Sequence, residues 1–358
     1  MRRVPILVAC VGLVLCAGSS FAGESPLSDA EIVAWLSDEL KEMAATGNFS
    51  GVMLIARDEK VLLHEAYGLT SRRYNVPNSV ETRFNLASAS KMFTGVAVAK
   101  LAEEGRLSLE DPIGRYLDAE WVSETVGKKV KISHLLNHTS GLGHFWEGWD
   151  EQWPKIRTLA DYRPIISDEL AFEPGADWQY SNSGYLLLGI IIEKVTGEDF
   201  FEHVQRTILQ PSGMNKSGFF EMDLPHQNLA VGYWEDKEDG GRLKNNTLFL
   251  GYRGSSAGGA WTTAADLHRF VLALQGDKLV SRETRELLWS PTTTSPKYGY
   301  GFQTKNGWVG HTGGFDGFES YLYHFPESGH TFILFANYYD SGYPLAIKIR
   351  ELYPRLIP

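Results

Sequence analysis

The sequence predicts an α+β fold: an antiparallel sheet built from both chain ends and flanked by helices, plus an inserted, mainly helical lobe of roughly residues 100–260. Two observations predict it. Strand-like runs cluster near both ends of the chain, and the middle carries apolar residues at helical spacing. The strand–helix alternation of a parallel sheet is missing. Length suggests about two domains. With no low-complexity linker and no internal repeat between them, residues 23–358 read as one two-lobed domain.

The first element is a leader. Arg2 and Arg3 precede an apolar run from Val4 to Cys16, and small residues follow from Ala17 to Ala22. That order describes a secretory signal peptide over residues 1–22, which makes the protein an exported one, periplasmic or extracellular after cleavage. The run is too short for a stable membrane span, which needs about 20 apolar residues. Leu7-Val8-Ala9-Cys10 also has the look of a lipid-anchoring motif, although little apolar sequence precedes it. Cys10 and Cys16 are the chain's two cysteines, so cleavage after Ala22 leaves no thiol for disulfides, metal ligation or catalysis. The roughly 336 remaining residues must then rest on a packed core.

Asp29 to Ala45 follows as an amphipathic helix with Ile32, Leu36, Leu40 and Met43 on one side. Gly51–Ala56 and Lys60–Tyr67 are strands around the polar turn Arg57-Asp58-Glu59. Helical patterns cover Lys91–Glu104, Tyr185–Val195 and Ala264–Leu274. The closing β region has Phe318–Phe325 and Thr331–Asn337 on either side of the turn Pro326-Glu327-Ser328-Gly329. A last helix is expected over about Leu345–Tyr353.

Net charge is −10, or −12 once Arg2 and Arg3 leave with the leader. An acidic chain disfavours nucleic acid as a partner. Neither a His-Glu-x-x-His helix nor a Gly-rich phosphate loop is present, so no metal and no cofactor is expected. The expected partner is a small-molecule or peptide substrate. Nothing in the sequence fixes an oligomeric state.

Chemistry concentrates at Ser88-Ala89-Ser90-Lys91. A helix pattern starts at Ser88 and runs to Gly105, a residue suited to a helix stop. Three residues are close to one turn, so Ser88 and Lys91 share a face. A serine hydroxyl needs a base to take its proton, and a desolvated lysine of lowered pKa is one. Backbone N–H groups at the helix start suit a developing oxyanion. By itself the pair is also what an N-cap serine and a surface lysine look like, and Ser-x-x-Lys arises by chance about once in a chain this long.

Two later motifs add weight. Tyr180-Ser181-Asn182 stands just before the helix from Tyr185, where Tyr180 can pass protons and Asn182 can bond a substrate amide. The same residues suit a helix cap. His311-Thr312-Gly313-Gly314 follows a short run before the last β region, and strand glycines admit a substrate backbone along an edge. A plain Gly-rich turn has the same composition.

In order, Ser-x-x-Lys, Tyr-x-Asn and His-Thr-Gly are spaced 92 and 131 residues apart. This ordered set resembles the serine β-lactamases and penicillin-binding DD-peptidases, closest to class C β-lactamases, related DD-peptidases, D-aminopeptidases and family VIII carboxylesterases. Ile132–Leu142 and Gly258–Leu267 also resemble that group, and the likeness runs from about Phe49 to Asn337. The resemblance implies a serine hydrolase with no cofactor and no metal. It makes Ser88 the residue acylated, Lys91 its general base, and Tyr180 the proton donor to the leaving group. Asn182 would hold the substrate amide, His311, Thr312 and Gly313 would bind the acyl donor's far side, and the backbone N–H groups of Ser88 and Gly314 would form the oxyanion hole. His134 and His138 fall in a structural stretch, with a packing or loop-fixing role.

One departure matters. β-Lactamases usually carry lysine where this chain has His311. Its unperturbed pKa is near 6.5, so carboxylate recognition should weaken at neutral pH. That shifts the expectation toward an exported DD-peptidase, D-amino-acid peptidase or carboxylesterase, with a class C-like β-lactamase as the alternative. Two other readings stand beside it: a catalytically silent penicillin-recognising envelope protein, and an α/β-hydrolase using Ser256. Gly254-Ser255-Ser256-Ala257-Gly258 fits the nucleophile-elbow pattern, but only a passable strand, Asn246–Arg253, precedes it and no helix follows at once. Phe145, Trp146, Trp149 and Trp153 could wall the cleft or form a satellite apolar cluster. Trp234–Asn246, with Glu235, Asp236, Glu238 and Asp239, reads as a solvated charge run.

Overall fold

The two chain ends meet in one six-stranded antiparallel sheet. The computed structural model describes residues 25–144 and 152–357, so the leader and its two cysteines, together with Phe145, Trp146 and Trp149, lie outside the described residues. Helix α1 (Asp29–Ala45) leads into β1 (Gly51–Arg57) and β2 (Lys60–Tyr67). After the middle of the chain come β3 (Gln303–Lys305), β4 (Trp308–Phe315), β5 (Phe318–Phe325), β6 (His330–Ala336) and a closing helix. The strand order is β2-β1-β6-β5-β4-β3. The ends join at β1 and β6, with Gly51 opposite Ala336 and Arg57 opposite His330. This is the α+β fold with flanking helices that the sequence predicts.

Both faces of the sheet are covered, which is why β1 and β6 read as continuous apolar runs. Side chains alternate between two cores. Val52, Leu54, Ile333 and Phe335 enter the larger core, while Met53, Ile55, Phe332 and Leu334 enter the smaller one. The smaller core packs under α1 through Ile32, Leu36 and Leu40. A capping box opens α1: Ser28 Oγ accepts from the Glu31 N–H at 3.3 Å, and Ser28 N–H donates to Glu31 Oε2 at 2.8 Å.

The larger core holds α2 (Lys91–Glu103), α3 (Asn182–Thr196) and α4 (Ala264–Gln275). Every residue of α2 from Lys91 to Ala99 is buried, so this helix has no solvent face in its first nine positions. Ser181 caps α3 by accepting from the Gly184 N–H at 2.9 Å, and Gly197 ends it at φ 74°. Among the described residues, no helix is long and apolar enough to cross a membrane.

Several local expectations change. The helix expected from Ser88 begins as a 3₁₀ turn, Ala87–Ser90, and becomes α-helical at Lys91. His311–Gly314 lies inside β4, as the strand reading of its glycines expects, and the plain Gly-rich turn is set aside. The run Asn246–Arg253 forms turns and no strand. Trp234–Asn246 is largely a β-hairpin, Tyr233–Asp236 with Arg242–Asn245, closed by Lys244 to Asp236 at 2.5 Å. The last helix is Tyr343–Glu351 (α5), with Pro344 in its first turn and a short Tyr353–Leu356 turn after it.

Phe335 is buried against Phe84, with ring centroids 5.5 Å apart, so it ties the sheet to the segment before Ser88. Phe335→Ala should lower unfolding free energy by about 3–5 kcal/mol. Val61→Ala, on a side chain 48% exposed, should change it by no more than about 0.5 kcal/mol. Urea midpoints at constant m-value check both, and equal shifts would contradict this packing.

Candidate active site

The turn carrying Ser88 is clamped from two directions. Leu86 O accepts from the Ser320 hydroxyl of β5 at 2.7 Å, and Ala87 O accepts from the Gly259 N–H at 3.1 Å. Ser90 Oγ donates to Ala87 O at 2.9 Å and accepts from the Ala260 N–H at 3.0 Å. Ala87 takes φ 45°, a left-handed conformation that is costly for a residue with a Cβ. These surrounding bonds hold it there. Gly258 and Gly313 let the backbones close in: a Cβ on Gly258 would stand 2.9 Å from Ala87 O, and one on Gly313 would stand 2.1 Å from Leu86 O.

Lys91 is fully buried. Its Nζ donates to Asn182 Oδ1 at 2.8 Å and to Ala257 O at 2.5 Å. No carboxylate pairs with it among the described residues. Burial holds its pKa well below the ordinary lysine value, because the charged form loses its hydration. The rings of Tyr180 and Tyr185 flank the amine, with centroids at 4.9 and 5.4 Å.

Tyr180 shows part of its ring to solvent, but its hydroxyl is buried and has no partner of ordinary hydrogen-bond geometry. Burial raises its pKa, and the nearby Ser88 side chain pulls in the other direction. His138 sets the Tyr180–Asn182 segment. Its Nδ1 accepts from the Ser181 N–H at 3.1 Å, its carbonyl accepts from the Gln179 N–H at 2.9 Å, and its ring lies 4.2 Å from that of Tyr180. The backbone of His138 is itself left-handed, at φ 64°. His134 works locally, its Nδ1 accepting from the Lys131 N–H at 3.3 Å.

In β4, residues 309, 311 and 313 share one face by strand alternation, the face turned to Leu86 and Ala89. His311 has no exposed surface. Its Nδ1 donates to Thr312 O at 2.5 Å, so Nε2 accepts from the Tyr298 hydroxyl at 2.9 Å. Burial, then Lys91 nearby, lowers its pKa to about 3. The imidazole is therefore neutral across physiological pH.

A concave cleft opens beside Ser88. Ser88, Asn182 and Gly314 line it; Lys91, Tyr180, His311, Thr312 and Gly313 stand behind or beside that lining. Gly254, Ser255, Ala257, Gly258 and Gly259 line it too, so the elbow-like pentapeptide borders the cleft beside the Ser88 turn. Ser256 is turned away: its hydroxyl is fully buried, and a Cβ on Gly189 of α3 would meet it at 2.3 Å. Tyr162, Met222, Leu250, Arg253 and Phe315 also line the cleft. Arg253 and Phe315 adjoin motifs that the sequence marks, whereas nothing near Tyr162 or Met222 does, and folding alone brings these stretches together. Trp153 lies apart, in a short turn near Gly251.

Gly313→Ala would drive a methyl into Leu86 O and the Ser320 hydroxyl and push the Ser88 turn out of place. A displacement of this size should cost roughly 100-fold in kcat/KM. Kinetics at full thermal occupancy of the folded state measures it, and unchanged turnover would remove this strand from control of the nucleophile.

The beta-lactamase family model matches residues 36–350. A penicillin-binding protein of Bacillus subtilis (strain 168) is 31% identical over 327 residues, covering 84% of this chain and 70% of that relative. The crystal structure of a penicillin-binding protein from Bacillus halodurans superposes with TM-score 0.80 at 30% identity, covering 87% of this chain and 98% of that one. A D-amino acid amidase from Ochrobactrum anthropi SV3 shares the fold at TM-score 0.73 and 20% identity, covering 89% and 97%. With the buried lysine behind a cleft-lining serine already in place, these matches identify the chain: it belongs to the beta-lactamase family and is a serine hydrolase of the β-lactamase/transpeptidase fold.

Proposed function

We propose that Ser88 forms an acyl-enzyme with an amide or ester substrate, in the manner of a D-amino-acid or DD-peptidase or a carboxylesterase. The observation that carries this is Lys91: buried, unpaired with any carboxylate among the described residues, and one helical turn from Ser88. As a neutral amine it has two N–H groups and one lone pair. Asn182 Oδ1 and Ala257 O take the two N–H groups, which leaves the lone pair for the Ser88 proton.

Ser88 Oγ then attacks the substrate carbonyl, and the oxyanion is held by the N–H groups of Ser88 and Gly314. The proton taken by Lys91 passes through Tyr180 to the leaving amine or alcohol as the scissile bond breaks. A water repeats the sequence in reverse roles, giving up a proton to the same pair and releasing the acid with Ser88 restored. Asn182 has its amide NH₂ available for the substrate while Oδ1 holds Lys91, and Thr312 and Gly313 border the strand edge where the substrate backbone would lie.

Neutral His311 puts no positive charge on the side where β-lactamases use lysine, which favours leaving groups without a carboxylate over β-lactams. We further propose export, read from the charge, apolar and small-residue order of the first 22 residues.

Intact-mass spectrometry with a penicillin and with an activated ester tests the nucleophile. Ser88→Ala should lose every adduct, and Ser256→Ala should keep it. The reverse pattern would overturn the assignment, and no adduct or turnover with either compound would favour a silent recognition protein.

The acid limb of kcat/KM should report Lys91 gaining a proton as pH falls, and it should lie well below the ordinary lysine value of 10.5. His311→Asn should lower the rate without moving that limb, because His311 stays neutral down to about pH 3. A limb displaced in that variant would return His311 to the proton chemistry.

A further inference from the structure

Among the described residues that line the cleft, Arg253 carries the one formal charge. It is built in. Its Nε donates to Phe219 O at 3.0 Å, and its guanidinium lies 3.8 Å from the centre of the Phe201 ring. Its Nη1 is 3.5 Å from Glu221 Oε1, a loose ion pair with side chains 22% and 34% exposed. The fork of Nη donors is thus held in place by Nε and the ring, yet is engaged only weakly by Glu221.

Backbone contacts connect Arg253 to the nucleophile. Gly259 donates to Ala87 O at 3.1 Å, and a Cβ on Gly254 would lie 2.6 Å from Gly259 O. Arg253 therefore leads into the Gly254–Gly259 stretch, which packs against the Ser88 turn and lines the same cleft. Along β4, His311 is buried and bonded through both ring nitrogens. A carboxylate entering this cleft finds its cation on the wall at Arg253.

We propose that Arg253 is a specificity-determining residue that binds a carboxylate on the acyl half of the substrate. Glu221 occupies the guanidinium while the cleft is empty and yields to the substrate carboxylate. The proposal rests on the Ser88 acyl-enzyme reading and adds to it the chemistry of the acyl group. It also separates this site from one suited to a free amine on the acyl half, since the Arg253 charge would repel an ammonium group.

Two esters with the same leaving group test it: the 4-nitrophenyl monoester of glutaric acid and 4-nitrophenyl valerate. The wild-type protein should prefer the glutarate ester in kcat/KM. Arg253→Met should cut the glutarate-to-valerate ratio roughly tenfold, as expected for losing one charge-assisted contact at a partly exposed site. Glu221→Gln should raise the ratio, because it removes the competing carboxylate. High salt should shrink the wild-type preference. A ratio unmoved in Arg253→Met, or lowered in Glu221→Gln, overturns the proposal. A wild-type protein not acylated by the glutarate ester also overturns it. If Arg253→Met fails to fold, Glu221→Gln decides alone, since a purely structural role would not raise the ratio. Ser88→Ala is measured alongside: full activity there sinks the acyl-enzyme reading, whereas an inactive Ser88→Ala with unmoved ratios sinks only the Arg253 assignment.

Discussion

Everything at this site depends on an amine placed where water cannot reach it. Lys91 opens a helix whose first nine residues are buried, and its neighbours are neutral acceptors rather than carboxylates. Burying an unpaired ammonium costs several kcal/mol, and burial accordingly pushes the Lys91 pKa well below the ordinary lysine value. In the proposed acyl-enzyme reading, Lys91 is thereby a base without a histidine. A carboxylate at the Asn182 position would stabilise the ammonium and end that function. Asn182 and Ala257 orient the amine while leaving it neutral.

That constraint spreads outward through packing. The amine stays dry because α2 is enclosed by α3, α4 and the sheet, and those elements belong to one continuous apolar core. The sheet in turn exists because strands from both ends pair at β1 and β6. The same sheet places Ser320 against Leu86 and Gly313 against the Ser88 turn, so sheet register and nucleophile position are one variable. The left-handed backbones of Ala87 and His138 are strained features that this surrounding structure holds in place.

Much of this was legible beforehand because it is local or periodic. α1 follows from its 3.6-residue spacing, β1, β2 and β5 from short strand-like runs bounded by polar turns, and the capping role of Ser181 from hydroxyl chemistry. The Ser88–Lys91 pairing needs one helical turn and no tertiary knowledge. His311–Gly314 was harder to read. Three of its residues resemble a turn in composition, yet β5 pairs with it through the whole segment. Trp234–Asn246 keeps the exposed charges expected of it at Glu235, Glu238 and Asp239, but folds as a hairpin in which Lys244 pairs with Asp236.

The sequence by itself determined the fold class, the order of the elements and the residue types able to do acyl transfer, since each depends on short-range spacing. Tertiary structure alone decided the protonation states. The pKa of Lys91 is pushed well below the ordinary lysine value and His311 is held neutral by what surrounds them, and desolvation is a property of the packed neighbourhood, which no local spacing encodes. It also sets two serines in different surroundings. Ser256 has the better-known local pattern, but α3 covers it, while Ser88 is left at the cleft. Finally, it brought Tyr162, Met222, Leu250, Arg253 and Phe315 together from separate segments, because a cleft wall is made by chain crossings that only folding creates.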